Sequence, residues 1–207
     1  MIKTEFYKTN GGLMQIAVYG GSFNPPHIAH AMVINWLKLT GIADEVWLVP
    51  VFEHAFEKIH EKRLFSYSER MHWCQLMAQD IGDGVRVSTI ESELPTPSYS
   101  IDTLLALQEK HPEHQFRLVV GADVVEHLPK WKLWHRIDSE FNPIIVGRVG
   151  YEGHRESVQF PNISSTKIRQ NLQNGHVQTS WMTKSVSNYF REHLSEFSRR
   201  QVDEGAQ

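Results

Sequence analysis

Apolar positions along the chain fall into two patterns. Some form short unbroken runs, and others recur at every third or fourth residue. The first run, Gln15-Ile16-Ala17-Val18-Tyr19, stops at Gly20-Gly21 and reads as a buried strand. Ile28, Met32, Val33, Trp36 and Leu37 then keep helical spacing up to Gly41, a residue suited to a helix end. Glu45 to Val49 is a second strand, closed by Pro50. Residues 51 to 65 mix charge and aromatics without a period and read as a loop. Ser66-Tyr67-Ser68-Glu69 has the form of a capping box and predicts a helix to about Asp80. Val85-Arg86-Val87 begins a third strand after the turn Gly82-Asp83-Gly84. Beyond Pro95-Thr96-Pro97, Ile101, Leu104, Leu105 and Leu107 mark another helix that ends at His111-Pro112. His111-Pro112-Glu113-His114 reads as a helix-ending surface turn. Phe116 to Val120 is a fourth strand, ended by Gly121. A short helix and a Trp-rich stretch (Trp131, Trp134) follow, and Ile144-Ile145-Val146 is a fifth strand. Two helices close the chain, one from near Ser164 to near Gly175, the other from about Lys184 to Glu196.

Strands alternate with helices, and the strands are continuously apolar. That pattern predicts an α/β fold: a Rossmann-like, doubly wound parallel sheet with helices on both faces and C-terminal helices. Ligands in such sheets bind beyond the C-terminal ends of strands near the switch point, so the loops after strands one and four draw attention. A chain of 207 residues is long enough to bury roughly 70% of its surface, and one domain is the default. The expected division is an N-terminal extension over 1–13, a single domain over 14–197 and a frayed tail over 198–207.

Composition narrows the class. Hydrophobic residues are 41% and charged residues 22%, which excludes a disordered tail and a membrane protein. No apolar run approaches the ~18 residues of a spanning helix. Met1 to Gly12 lacks a signal-peptide core. With Cys74 as the single cysteine, no intramolecular disulfide can form. A cytoplasmic protein fits all of this. The net charge of −3 argues against a protein that wraps nucleic acid, although local phosphate sites need no basic surface.

Several common chemistries are missing. There is no G-x-x-x-x-G-K-[ST], no G-x-G-x-x-G, no H-E-x-x-H and no G-x-S-x-G. The histidines show no Cys/His cluster with zinc spacing, so no protein-held metal is expected. Three constellations remain. In Gly20-Gly21-Ser22-Phe23-Asn24-Pro25-Pro26-His27-Ile28-Ala29-His30, two glycines after a strand let backbone N–H groups face an anion. The helix N-terminus that follows points the same way, and His27 and His30 share one helix face. The plain alternative is a glycine turn and two partly exposed histidines. In Asn162-Ile163-Ser164-Ser165-Thr166-Lys167-Ile168-Arg169, hydroxyls at a helix start either cap the helix or, with Arg169, grip phosphate oxygens. In Gly121-Ala122-Asp123, the Asp could accept from a ribose diol, and Trp131 could stack on a planar ring. An N-cap and a core tryptophan are the plain alternatives.

Together these sites resemble the nucleotidyltransferase superfamily with the His-x-x-His motif, and within it the nicotinate- or nicotinamide-mononucleotide adenylyltransferases. The resemblance runs from Met14 to about Phe197 and rests on GGSFNPPHIAH, SYSIDTL at Ser98 to Leu104, GADVVEHLPKWKLW at Gly121 to Trp134 and ISSTKIR at Ile163 to Arg169. It implies that Gly20, Gly21, Ser22 and Phe23 line the nucleotide phosphates and that His27 and His30 contact those of ATP. Asp123 would meet the adenylate ribose, with Gly121 permitting close approach. Ser164, Ser165, Thr166 and Arg169 would hold the phosphates that leave as pyrophosphate. Asn24, Tyr99, Ser100 and Trp131 would receive the mononucleotide, Trp131 stacking on its pyridine ring.

Two positions depart from the family pattern. Ala29 stands where glycine is usual, and Val51 to Lys58 replaces a Pro-Pro-His-Lys-like stretch, leaving Lys58 as the candidate phosphate-binding lysine and His54 as its assistant. The implied reaction joins ATP and a pyridine mononucleotide into NAD or its deamido acid, releasing pyrophosphate. No general base is needed, because the attacking phosphate is already anionic. Mg2+ would ride on the ATP phosphates, and His27, His30, Lys58 and Arg169 would supply positive field. Alternatives are transfer of an adenylyl or cytidylyl group to phosphopantetheine or another phosphorylated acceptor, and a non-catalytic nucleotide-binding module. A homo-oligomer is compatible with the sequence, and no nucleic-acid or membrane partner is expected.

Overall fold

The unbroken apolar runs form the middle of a parallel sheet. The computed structural model describes residues 12–52, 64–151 and 158–199. Its strands are β1 (Gln15–Gly21), β2 (Glu45–Pro50), β3 (Val85–Val87), β4 (Gln115–Gly121), β5 (Ile144–Arg148) and β6 (Gln159–Phe160). Its α-helices are α1 (Ile28–Leu39), α2 (Tyr67–Ile81), α3 (Ser100–Lys110), α4 (Trp134–Phe141), α5 (Ser165–Gln173), α6 (Lys184–Glu192) and α7 (Leu194–Arg199). The strand order is β3-β2-β1-β4-β5-β6, and every neighbouring pair is parallel. Winding reverses between β1 and β4, so a crevice opens beyond their C-terminal ends.

Alternate residues of each strand enter opposite layers, as the pleat requires. Ala17 and Leu48 join Ile34, Leu37, Trp73, Met77 and Phe190 on one face, where α1, α2, α5, α6 and α7 pack. Ile16, Val18 and Val49 join Ile101, Leu104 and Ile137 on the other, under α3 and α4. Each fully buried large aliphatic side chain contributes about 1.5–3 kcal/mol. Both faces are thus covered, as the continuous apolar runs required. Among the described residues no helix is long and apolar enough to cross a membrane.

Most element boundaries agree with the sequence pattern to within two residues. The capping box forms as read: Ser66 Oγ accepts from the Glu69 N–H at 3.3 Å, and Glu69 Oε2 accepts from the Ser66 N–H at 3.0 Å. One expectation is corrected. The last helix is not continuous from Lys184 to Glu196 but breaks at His193. There the His193 ring stacks on Tyr189, with centroids 4.3 Å apart, and its N–H bonds the Tyr189 carbonyl. The break lets Phe197 turn back onto Phe190, 4.9 Å between centroids. A 3-10 turn at Ile90–Glu93 and the two-residue β6 are additions too short to leave a periodic signal.

Candidate active site

β1 delivers Gly20 and Gly21 to the crevice at their strand end, and α1 begins at His27. Between them the backbone turns sharply. Phe23 takes φ 45°, a left-handed conformation uncommon for a residue with a side chain. Its ring is buried and meets Tyr19 and His30 edge-on, at 5.7 and 5.0 Å between centroids. Gly21 lies tightly under this fold-back, since a Cβ there would stand 3.3 Å from the Phe23 ring. A Cβ on Gly20 would meet no protein atom within 4 Å. The two adjacent glycines therefore serve different purposes, one packing and one leaving backbone open.

His27 and His30 do stand together. The His27 N–H donates to His30 Nδ1 at 3.0 Å, and the rings stack at 3.7 Å. Burial pushes the His27 imidazole down to about 4, helped by the Arg148 guanidinium. Burial first, then His27 and Arg148, push His30 well below the ordinary histidine range. Both shifts run against the expectation that the two histidines supply positive charge. Tyr19 of β1, edge-on to His30 at 5.8 Å between centroids, has its phenol pushed up by burial and by Asp123.

The ISSTKIR helix is tied to the same loop. Ser165 Oγ donates to the Pro25 carbonyl at 2.9 Å, and Arg169 Nη1 donates to the Asn24 carbonyl at 2.8 Å. Thr166 Oγ1 accepts from Arg169 Nη2 at 3.3 Å. Ser164 is the N-cap residue of α5. Two loops 140 or more residues apart in sequence thus meet, and their helix N-termini share one region.

At the end of β4, the Asp123 carboxylate folds back toward Gly121, where a Cβ would collide with Asp123 Oδ1. A side chain there would push the Asp123 carboxylate out of this position. Asp123 Oδ2 pairs with Arg148 Nη1 at 2.5 Å, and Arg148 also donates to Asn162 Oδ1 at 2.8 and 3.1 Å. Arg148 closes β5 and was not singled out from sequence. Its signal was weak but present: it extends a strand whose end borders the crevice.

Tyr99, Ser100 and Trp131 form a second group. Tyr99 is the N-cap of α3, Ser100 its first residue, and the Lys132 ammonium lies 4.7 Å from the Tyr99 ring centroid while pairing with Asp102. Trp131 meets Trp134 edge-on at 6.1 Å. Beneath them the buried Glu91 accepts from Ser98 Oγ at 2.5 Å and from Thr103 Oγ1. Glu91, too, was missed by sequence reasoning. Asn24 is buried and its Oδ1 accepts the Phe65 N–H at 3.0 Å. Ala29, at the position where the family pattern has glycine, is also buried. Lys58 and His54 lie outside the described residues. Among the described residues no group of three or more His, Cys, Asp or Glu could hold a metal ion.

A glycine loop after β1, two helix N-termini facing it and a carboxylate at the switch point define a nucleotide-binding α/β protein. The cytidylyltransferase-like family model matches residues 18–171. A probable nicotinate-nucleotide adenylyltransferase of Anaeromyxobacter sp. (strain K) is 39% identical over 184 residues, covering 87% of this chain and 96% of that relative. One of Myxococcus xanthus is 32% identical, covering 87% and 93%. The fold is shared with a crystal structure from Vibrio parahaemolyticus (TM-score 0.69, 22% identity, covering 90% of this chain and 96% of that one). It is shared equally with the Plasmodium falciparum nicotinic acid mononucleotide adenylyltransferase complexed with NaAD (TM-score 0.69, 19% identity, covering 88% and 98%). The chain belongs to the cytidylyltransferase-like nucleotidyltransferases and, within them, to the nicotinate-nucleotide adenylyltransferase family.

Proposed function

We propose that this chain transfers the adenylyl group of ATP to the 5′-phosphate of nicotinate mononucleotide, giving deamido-NAD and pyrophosphate. The observation that carries the reading is the convergence at the crevice. Ser165 and Arg169 bond the carbonyls of Pro25 and Asn24, which sets two helix N-termini and a guanidinium beside the open glycine loop. The working domain spans residues 14–197.

In this reading the mononucleotide phosphate attacks the α-phosphorus in line, already charged and needing no base. Catalysis rests on placement and on stabilising charge as pyrophosphate departs. The N–H groups of Gly20, Gly21, Ser22 and Phe23 and the start of α1 face the phosphates. Arg169, with Ser164, Ser165 and Thr166, holds the leaving pyrophosphate. Burial lowers the Arg169 guanidinium from its usual value, yet an arginine stays protonated at neutral pH. His27 and His30 act as neutral hydrogen-bond donors, and MgATP is the substrate form, its cation held on phosphate oxygens. Asp123 takes the ribose, and Asn24, Tyr99, Ser100 and Trp131 receive the mononucleotide. Lys58 and His54 are further phosphate candidates.

A coupled pyrophosphate-release assay with MgATP tests this. Nicotinate mononucleotide, nicotinamide mononucleotide and phosphopantetheine are offered in parallel. Turnover with the nicotinate form and a lower kcat/KM for the amide is expected. His30→Ala lowers kcat by about 100-fold or more, the scale of losing one transition-state donor. Turnover with phosphopantetheine alone would overturn the substrate assignment.

A further inference from the structure

Arg70 sits in the first turns of α2 and is 1% exposed. A guanidinium so deeply placed must have its donors met, because burying an unsatisfied charge is strongly unfavourable. Nε donates to the Phe65 carbonyl at 3.0 Å, Nη1 to the Ser22 carbonyl at 3.0 Å and Nη2 to the Phe52 carbonyl at 3.3 Å. One planar fork thus holds the glycine loop after β1, the chain after β2 and the lead into α2. Phe65 is gripped twice, by Arg70 at its carbonyl and by Asn24 Oδ1 at its N–H. The start of α2 is itself fixed by the Ser66–Glu69 capping box.

We infer that Arg70 is a positioning residue for adenylyl transfer: by holding the Ser22 carbonyl inward, it turns the Phe23 N–H of the glycine loop outward toward the ATP phosphates. This rests on the reading of that loop as the phosphate site. Peptide geometry supplies the link, since each carbonyl fixes the plane of the N–H that follows it, here that of Phe23. Only an arginine does this, because three donors in one plane reach three carbonyls that a lysine nitrogen cannot span. Side-chain burial keeps Arg70 itself away from substrate.

The test compares Arg70→Lys and Arg70→Met with Met77→Ala, a substitution at a buried position on the same helix. Each is measured well below its own Tm, with kcat and KM expressed per folded molecule. Both Arg70 variants should lose about tenfold or more in kcat with a raised KM for ATP. Met77→Ala, with a comparable fall in Tm, keeps both constants. Arg70→Lys or Arg70→Met with kcat and ATP KM within about twofold of the parent would overturn the inference. ATP affinity by calorimetry separates this from the functional reading: a parent chain without turnover sinks the reading, while unchanged ATP affinity in the variants sinks the role of Arg70. Should neither variant fold, NMR of the parent's arginine side chains decides. Slowly exchanging Arg70 guanidinium protons that shift when ATP is added are expected, and rapidly exchanging, unshifted ones would overturn the inference.

Discussion

The backbone N–H of His27 donates to Nδ1 of His30 at 3.0 Å, and the two imidazoles stack 3.7 Å apart. A nitrogen that accepts cannot carry the proton, so the neutral His30 ring bears its proton on Nε2. Protonating His30 at Nδ1 would oppose two N–H groups and place a charge against His27 and Arg148. His30 is thereby held as a donor through Nε2, a state suited to bonding a phosphate oxygen without repelling the nearby Arg148 guanidinium.

The pH dependence of stability follows. His27 has its pKa lowered from the ordinary 6.5 to about 4, and His30 is lowered as well. Between those values the unfolded chain binds more protons than the folded one, so stability rises with pH. It should fall as pH drops from about 6.5 toward 4, with a slope of at most about 1.4 kcal/mol per pH unit for each histidine. Urea unfolding at pH 7.5 and 5 measures it, and His27→Gln should flatten the slope. A slope equal to the parent's in that variant would show that the buried pair does not set it.

Gly20→Ala separates loop chemistry from loop folding. A Cβ there meets no protein atom within 4 Å, so the fold should be unchanged or stabilised by up to about 1 kcal/mol. The methyl would stand where phosphate approaches, and kcat/KM for ATP should drop about tenfold or more. Normal activity would remove Gly20 from the phosphate site.

Arg148→Met frees Asp123 from its 2.5 Å ion pair. Both side chains are partly exposed, and the loss of stability should stay within about 1 kcal/mol. The effect should fall instead on KM for ATP, which rises as Asp123 loses its fixed orientation. NMR should also show the His27 pKa moving up, because a neighbouring positive charge has gone. An unmoved His27 would show that burial alone sets its value.

Glu91→Ala strips the acceptor from the Ser98 and Thr103 hydroxyls. Thr103 keeps the Tyr99 carbonyl at 3.4 Å as an acceptor, but the buried Ser98 hydroxyl loses its partner at about 1–3 kcal/mol, so a clear fall in unfolding free energy is expected. Because Ser98 leads into Tyr99 and Ser100, KM for the mononucleotide should rise more than KM for ATP. An equal rise in both would argue that Glu91 supports the fold in general and not the mononucleotide side of the crevice.

Sequence reasoning reached the strand–Gly–Gly–helix unit, the His27/His30 pair and the Ser164–Arg169 helix start, because each is made by residues close together in the chain. It missed Arg70, Glu91 and Arg148, whose neighbours in sequence do not point to their partners. Arg70 bonds across 48 residues to Ser22, and Arg148 across 25 to Asp123. The break at His193 was equally hidden, since the apolar period passes through it and only the return of Phe197 onto Phe190 makes the break favourable.

Local periodicity and turn chemistry by themselves determined the alternating α/β order, the two glycine-ended strands and the helix starts that face the crevice. They did so because hydrogen bonding and side-chain direction within one element depend on near neighbours. The charge state of the histidines, the purpose of each glycine and the guanidinium forks were decided by tertiary structure alone. Burial, screening and the pairing of long-range donors exist only once strands and helices have packed.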